Sequence, residues 1–443
     1  MVAPHAEASV SADAHAAGVA AGWLQQPWWR AFADDELDKL VERALAANPD
    51  LTVAKARLAA AQRSQRLAEL NAGATYDANI TAERSRLTAN GIFPPPIGGM
   101  SYMQEDVSLG VSYTLDFWGR NRALVAAAVG DARAAVAEDE AARLAVSALV
   151  ADAYFALADA AERAALAREL AGKRRQAFDL LKIRLARGLD PADRVRRAEA
   201  ALAQDQDMAA RLDYEARAWR YRLAALLGEG PDAAAALPPP RLVPPPTLPA
   251  ALPLDWLSGR PDVAASRWRV DAQAARSDAA RADFYPNVNL VLLIGFQSIE
   301  AAKWLQRGSL NGAVGPAIHI PLFNTGTLQA TLGAREADYA ATVGDYNRTV
   351  VEAARQVADG YALAASLAGR VAAEQEALAA ASRAEALAHM RHQDGLASRL
   401  DVLSDEINVL AARQADSQVR AARLRAVVAL AQALGGGEHV NQE

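Results

Sequence analysis

The side chains able to do chemistry are scattered along the chain. His389 and His392 lie three residues apart, a helical spacing that could begin a metal site. No third ligand is set beside them, and two histidines alone read as solvated helix surface. The acid pairs Asp401 with Asp405 and Glu374 with Glu376 carry the residue types of a hydrolase couple. Nothing near them in the sequence forms a pocket or pushes their pKa values apart. The 443 residues contain no cysteine, which removes thiolate metal sites, disulfides and cysteine nucleophiles and suits an oxidising compartment. No nucleophile motif or phosphate-binding glycine loop is present. The expectation is therefore a protein that is not an enzyme, with no catalytic residues, no metal and no cofactor. The 47 basic and 53 acidic residues are mixed throughout and give a net charge of −6, which leaves no electropositive footprint for nucleic acid.

The elements around these residues are written twice. Asn48-Pro49-Asp50 returns as Arg260-Pro261-Asp262, Tyr76 as Tyr285, and Arg187-Gly188-Leu189 as Asp394-Gly395-Leu396, while Leu226-Leu227-Gly228 is echoed by Ala433-Leu434-Gly435. Landmarks in one order at a nearly constant offset mark a tandem duplication. The halves meet at a proline-rich linker. Each half reads helix, two strands, long helix, turn, long helix. Residues 121–187 hold no proline and are dominated by alanine and leucine, so they would span roughly 100 Å as one helix. Paired helices of that length need partners along their whole extent, as in a helical hairpin bundle or coiled coil. Arg143, Asp152 and Asp159 break the apolar runs, and no membrane-spanning helix is expected.

The strand segments carry a period of two. Tyr76, Ala78, Ile80 and Ala82 alternate with Asp77, Asn79, Thr81 and Glu83, and Leu109, Val111, Tyr113, Leu115 and Phe117 alternate with Ser108 to Asp116. Val288, Leu290, Leu292, Ile294 and Phe296 share a face opposite Asn287, Asn289 and Gln297, and a glycine-rich strand is read over 310–320. One greasy and one wet face over about ten residues suits a membrane β-barrel, with Trp118 as a candidate for the interfacial belt. Four strands cannot close a barrel, and open edges are not tolerated in lipid, so the chain must oligomerise. A dimer would supply eight strands and a trimer twelve, and the strand pattern does not choose.

Trp28-Trp29-Arg30-Ala31-Phe32, Asn48-Pro49-Asp50-Leu51, Arg260-Pro261-Asp262-Val263, Phe284-Tyr285-Pro286, and Gly395-Leu396-Ala397-Ser398 followed by Asp401-Val402-Leu403 resemble the TolC and OprM group of outer-membrane efflux proteins, NodT branch. The resemblance covers nearly the whole chain. It implies a mainly α fold with a transmembrane β-barrel: a tandem-repeat protomer, four strands per chain in a twelve-stranded homotrimeric barrel, and a long α-helical tunnel in the periplasm of a Gram-negative bacterium. The implied partners are a periplasmic adaptor protein, an inner-membrane transporter and outer-membrane lipid. The implied function is passive conduction of small toxic compounds or drugs to the exterior. Members of this branch usually carry a lipidated cysteine near the N-terminus, and residues 1–22 show neither that cysteine nor a signal-peptide pattern. In the family the hairpin tips dock the adaptor and close the tunnel. By position in the motif, Gly188, Leu189, Gly395, Leu396, Ala397 and Ser398 would form the docking turns. Asp401 would ring the aperture, Asp405 would stand in for a second aspartate that falls at Ser404, and Arg194 could latch onto Asp401. Plainer readings are a helix-ending glycine and an acid favoured by a helix dipole.

The expected division is an N-terminal segment with the first helices over 1–74, strands over 75–117, a helical hairpin over 118–236 and a proline-rich linker over 237–254. The second repeat has an opening helix over 255–286, strands over 287–322, a hairpin over 323–434 and a tail over 435–443. Two alternatives compete: a soluble helical coiled-coil scaffold, which would show no conductance, and a TolC-type channel that secretes polypeptide.

Overall fold

The computed structural model describes residues 27–237, 240–246 and 259–437. Most of the proline-rich linker and the whole of residues 1–26, Trp23 included, lie outside the described residues. Helices α1 (Asp35–Ala47) and α2 (Pro49–Asn71) precede strands β1 (Thr75–Arg86) and β2 (Ser101–Leu115). Helix α3 (Arg120–Ala186) has 67 residues and is answered by α4 (Ala192–Leu226). The second repeat follows the same order: α5 (Pro261–Ala282), β3 (Asn287–Ser298), β4 (Leu310–His319), α6 (Thr325–Gln393, 69 residues) and α7 (Arg399–Ala433). By contact density the chain divides into two units.

One unit comprises residues 1–56, 137–264 and 348–443. Its core grows from the N-terminal turn, where buried Trp28 donates its indole N–H to Ser147 Oγ at 3.1 Å and packs edge-on against Phe32. Phe32 meets Phe155 of α3 at 5.1 Å between ring centroids. Asp34 caps α1 through the N–H groups of Glu36 and Leu37, and its other carboxylate oxygen accepts the Tyr154 hydroxyl at 2.7 Å. The duplication has a structural signature here. Asn48 donates its side-chain N–H to Leu226 O at 2.8 Å, and Arg260, its counterpart, donates to Ala433 O at 2.6 Å. In both repeats the residue before Pro-Asp thus satisfies a carbonyl at the end of the returning helix, a group with no partner inside that helix.

The other unit comprises residues 57–136 and 265–347 and contains one antiparallel sheet in the order β1-β2-β3-β4. The register aligns Tyr76 with Val111, Val111 with Leu292 and Leu292 with Val314, so the apolar row of each strand continues into the next. The polar rows share the opposite face, where Ser112 donates to Asn289 Oδ1 at 3.0 Å. Among the described residues the outer edges of β1 and β4 have no strand partner. Asp116 caps α3 by accepting from the N–H groups of Asn121 and Arg122. In α3, Gly130 lets the backbone approach α5: a Cβ there would meet Ala272 Cβ at 2.9 Å and its Cα at 3.1 Å.

The charges of α3 interrupt its apolar run less than the sequence suggests. Helix α3 is long and apolar enough to cross a membrane, with mean hydropathy 1.5 over its best 18-residue window. Scattered charges such as Asp152 and Asp159 dilute that window without disqualifying it. In the structure 72% of the window is buried, so its apolarity serves helix packing.

Candidate functional site

The turn after α3 and the turn after α6 are built alike. Gly188 and Gly395 adopt φ of 71° and 75°, a left-handed conformation glycine enters without steric cost. Gly188 N–H donates to Leu185 O and Leu189 N–H to Arg184 O; Gly395 N–H donates to His392 O and Leu396 N–H to Arg391 O. Each is a full Schellman motif, which satisfies two end carbonyls and reverses the chain. The residue after each glycine is a leucine held out in solvent, Leu189 at 62% and Leu396 at 70% exposure.

The next residues differ, and the two tips are fastened differently. In the first repeat the buried Asp190 accepts from Arg184 Nε at 2.5 Å and from Arg194 Nη1 at 2.8 Å, tying the end of α3 to the start of α4. The Arg184 hydrogen bond chiefly holds the Asp190 carboxyl below the usual aspartate range. In the second repeat Ala397 replaces that aspartate, and Ser398 and Asp401 form a capping box. Asp401 Oδ2 accepts from both the hydroxyl and the backbone N–H of Ser398 at 2.8 Å, and the hydroxyl bond is the larger of the effects that lower its pKa. The expected Arg194 to Asp401 latch is not formed within the chain. Arg194 is engaged by Asp190 one turn earlier, and Asp401 by its own cap. Asp405 lies half-buried on the following turn of α7.

His389 and His392 do not converge. His392 Nδ1 lies 2.8 Å from Ala397 O, within the second turn, and His389 Nε2 lies 3.5 Å from Glu406. Glu406 was not singled out from the sequence. Its side chain is 7% exposed, and it is reached by Lys173 Nζ of α3 at 2.8 Å and by Arg399 Nη1 at 3.0 Å. Burial works to raise its pKa, but the cationic Lys173 and Arg399 beside it prevail and hold it ionised below the usual glutamate range. The available signal was periodicity: Val402, Leu403, Ile407 and Leu410 make an apolar stripe on α7, with Glu406 inside it.

A sequence profile of outer membrane efflux proteins matches residues 40–229 and 252–436. The chain belongs to the outer membrane efflux protein family. The family's outer-membrane channels are homotrimers that pair with periplasmic adaptors and inner-membrane transporters, and the chain is an outer-membrane efflux channel of this kind. It is 34% identical to the fusaric acid resistance protein FusA of Burkholderia cepacia over 342 residues, an alignment covering 74% of this chain and 64% of that protein. It is 30% identical to the multidrug resistance outer membrane protein MdtP of Escherichia coli, covering 96% of this chain and 88% of that one. Among solved structures it matches the outer membrane protein VceC of Vibrio cholerae at 33% identity and a TM-score of 0.83, covering 93% of this chain and 98% of that one. Membership gives the open edges of β1 and β4 their partners, because three copies of a four-stranded sheet close one barrel, and it sets the soluble scaffold aside.

Trp118, expected in the interfacial belt, stacks on Tyr285 at 4.6 Å and 18° and donates its indole N–H to Pro286 O at 2.9 Å. Both rings are half exposed at the strand-to-helix junction.

Proposed function

We propose that the two glycine turns are the adaptor-docking tips and that the start of α7 forms the periplasmic aperture, in a channel that passively conducts small toxic organic compounds. The observation that carries this reading is the pair of matching Schellman turns. Each presents a leucine to solvent, Leu189 or Leu396, although exposing a large apolar side chain beside a rigid turn gains nothing for folding. Gly188 and Gly395 set the turns, Ala397 and Ser398 complete the second, and the leucines supply apolar anchors for a partner's helical tip. Asp401, fixed by its capping box, and Asp405 one turn further are the acidic groups that three symmetry copies would gather around the pore. Arg194 holds Asp190 and so shapes the neighbouring tip. No step of this function needs bond-making chemistry, so energy comes from the inner-membrane partner. The resistance names of FusA and MdtP point to small-molecule cargo.

The aperture assignment predicts that single-channel conductance in a planar bilayer rises several-fold in Asp401→Ala and that block by divalent cations weakens. Unchanged conductance from an intact trimer removes Asp401 from the aperture. The docking assignment predicts that Leu189→Ser with Leu396→Ser weakens adaptor capture at least tenfold, about 1.4 kcal/mol, while trimer assembly and conductance are retained. Equal capture by the variant sends docking elsewhere.

A further inference from the structure

The apolar face of the sheet ends differently at its two margins. Along β1 this face carries Tyr76, Ala78, Ile80 and Ala82, and the same period-two row continues into Arg84 and Arg86. The register leaves no doubt about the side: Ile80 pairs with Val107, Ala82 with Glu105, Arg84 with Met103 and Arg86 with Ser101. Both arginines are exposed, and among the described residues neither has a carboxylate partner. Arg307, also exposed, opens the turn into β4 at the same end of the sheet. Among the described strand residues the acid on this face is Glu105, one of whose carboxylate oxygens is buried without a hydrogen bond. At the opposite margin the face closes on Tyr76, Val288 and Ile318 with no cation among them.

The spacing puts the arginines at the edge of the apolar band. Arg84 and Arg86 lie eight and ten residues beyond Tyr76. At about 3.3 Å per residue and a tilt of about 40°, they stand roughly 20 and 25 Å above it, where the apolar band of such barrels ends. β1 follows a helix of the periplasmic part and runs away from it, so this margin is the external one. A guanidinium at the band centre would be costly to desolvate, but at the interface it reaches the headgroups while its stem stays in the apolar region. The lipid met at this margin is the phosphorylated glycolipid of the outer leaflet. Arginine suits its phosphates, since the planar guanidinium donates two parallel hydrogen bonds to phosphate oxygens.

We propose that Arg84 and Arg86 form a phosphate-binding rim on the lipid side of the barrel that fixes the trimer to the phosphorylated glycolipid of the outer leaflet. The rim is repeated three times around the barrel, and Arg307 adds positive charge at the same level.

The test uses the full-length trimer in detergent and fluorescently labelled diphosphorylated lipid A. The native chain should bind it at least about tenfold more tightly than Arg84→Gln with Arg86→Gln, two interfacial charges being lost. Removing the lipid's phosphates should abolish the difference between native and variant, and inorganic phosphate at equal concentration should not displace the lipid. Equal binding by native and variant, equal binding of the dephosphorylated lipid, or displacement by free phosphate would each overturn the proposal. Should the double variant not assemble, Arg86→Gln alone, one step further out on the rim, must still bind more weakly than native. A single variant indistinguishable from native counts against the rim.

Discussion

Replacing Glu406 with alanine is expected to lower stability by about 3 kcal/mol, read as a fall in the thermal midpoint of the detergent-solubilised trimer. The carboxylate is buried on α7 and meets Lys173 of α3, Arg399 of its own helix and His389 of α6. Removing one side of a buried charge cluster costs about 3–5 kcal/mol, because the remaining charges have no partner and little water. The low end applies here, since Lys173 is 26% and Arg399 39% exposed. Replacing both partners, Glu406→Leu with Lys173→Leu, should recover most of the loss. Failure to recover would show that the carboxylate acts through something other than this cluster. The pH dependence has a definite sign. The folded-state pKa lies below the ordinary value of 4.5, so the contribution is complete above that value and is lost as pH falls through the lowered one. The acid limb of a stability profile should flatten in the double variant.

The second large effect is expected at Phe155→Ala, about 3–5 kcal/mol by the same measurement. Phe155 is fully buried, and its ring touches Phe32 and Tyr154. Its loss would leave a cavity whose walls are fixed. The Trp28–Phe32 turn is held by the Trp28 to Ser147 hydrogen bond, and α1 is capped by Asp34, which also holds Tyr154. Neither wall can collapse without breaking one of these hydrogen bonds, so little of the cost is relieved. Phe155→Leu should restore more than half of the loss. A loss under 1 kcal/mol in the alanine variant would mean the N-terminal turn is not part of the cooperative core.

Much of this architecture was legible in the amino-acid order. The duplication, the long proline-free helices and the two-faced strands are written as periodicities of 207 to 212, about 3.6 and 2 residues, and periodic signals survive without knowledge of any contact. The glycine turns could be placed because a helix commonly ends on a residue of positive φ, a conformation glycine enters without steric cost. The need for other copies of the chain also followed from the sequence, because four strands leave two edges open. The number of copies came from the family resemblance and not from strand physics. What the tertiary structure decided was which charged side chains meet. Arg194 stands at the repeat equivalent of Asp401, which suggested a pair, yet Asp190 takes Arg194 and Ser398 takes Asp401. A local partner within four residues outcompetes a distant one, since it orders less chain. Glu406 is the opposite case. Its partner Lys173 lies 233 residues earlier, and no sequence period relates them. Its repeat equivalent Glu199 is 53% exposed and, among the described residues, pairs with Arg196 on the same helix. Two copies of one motif thus hold their glutamates in opposite environments, because burial is set by the helices that pack around each position and not by the motif itself.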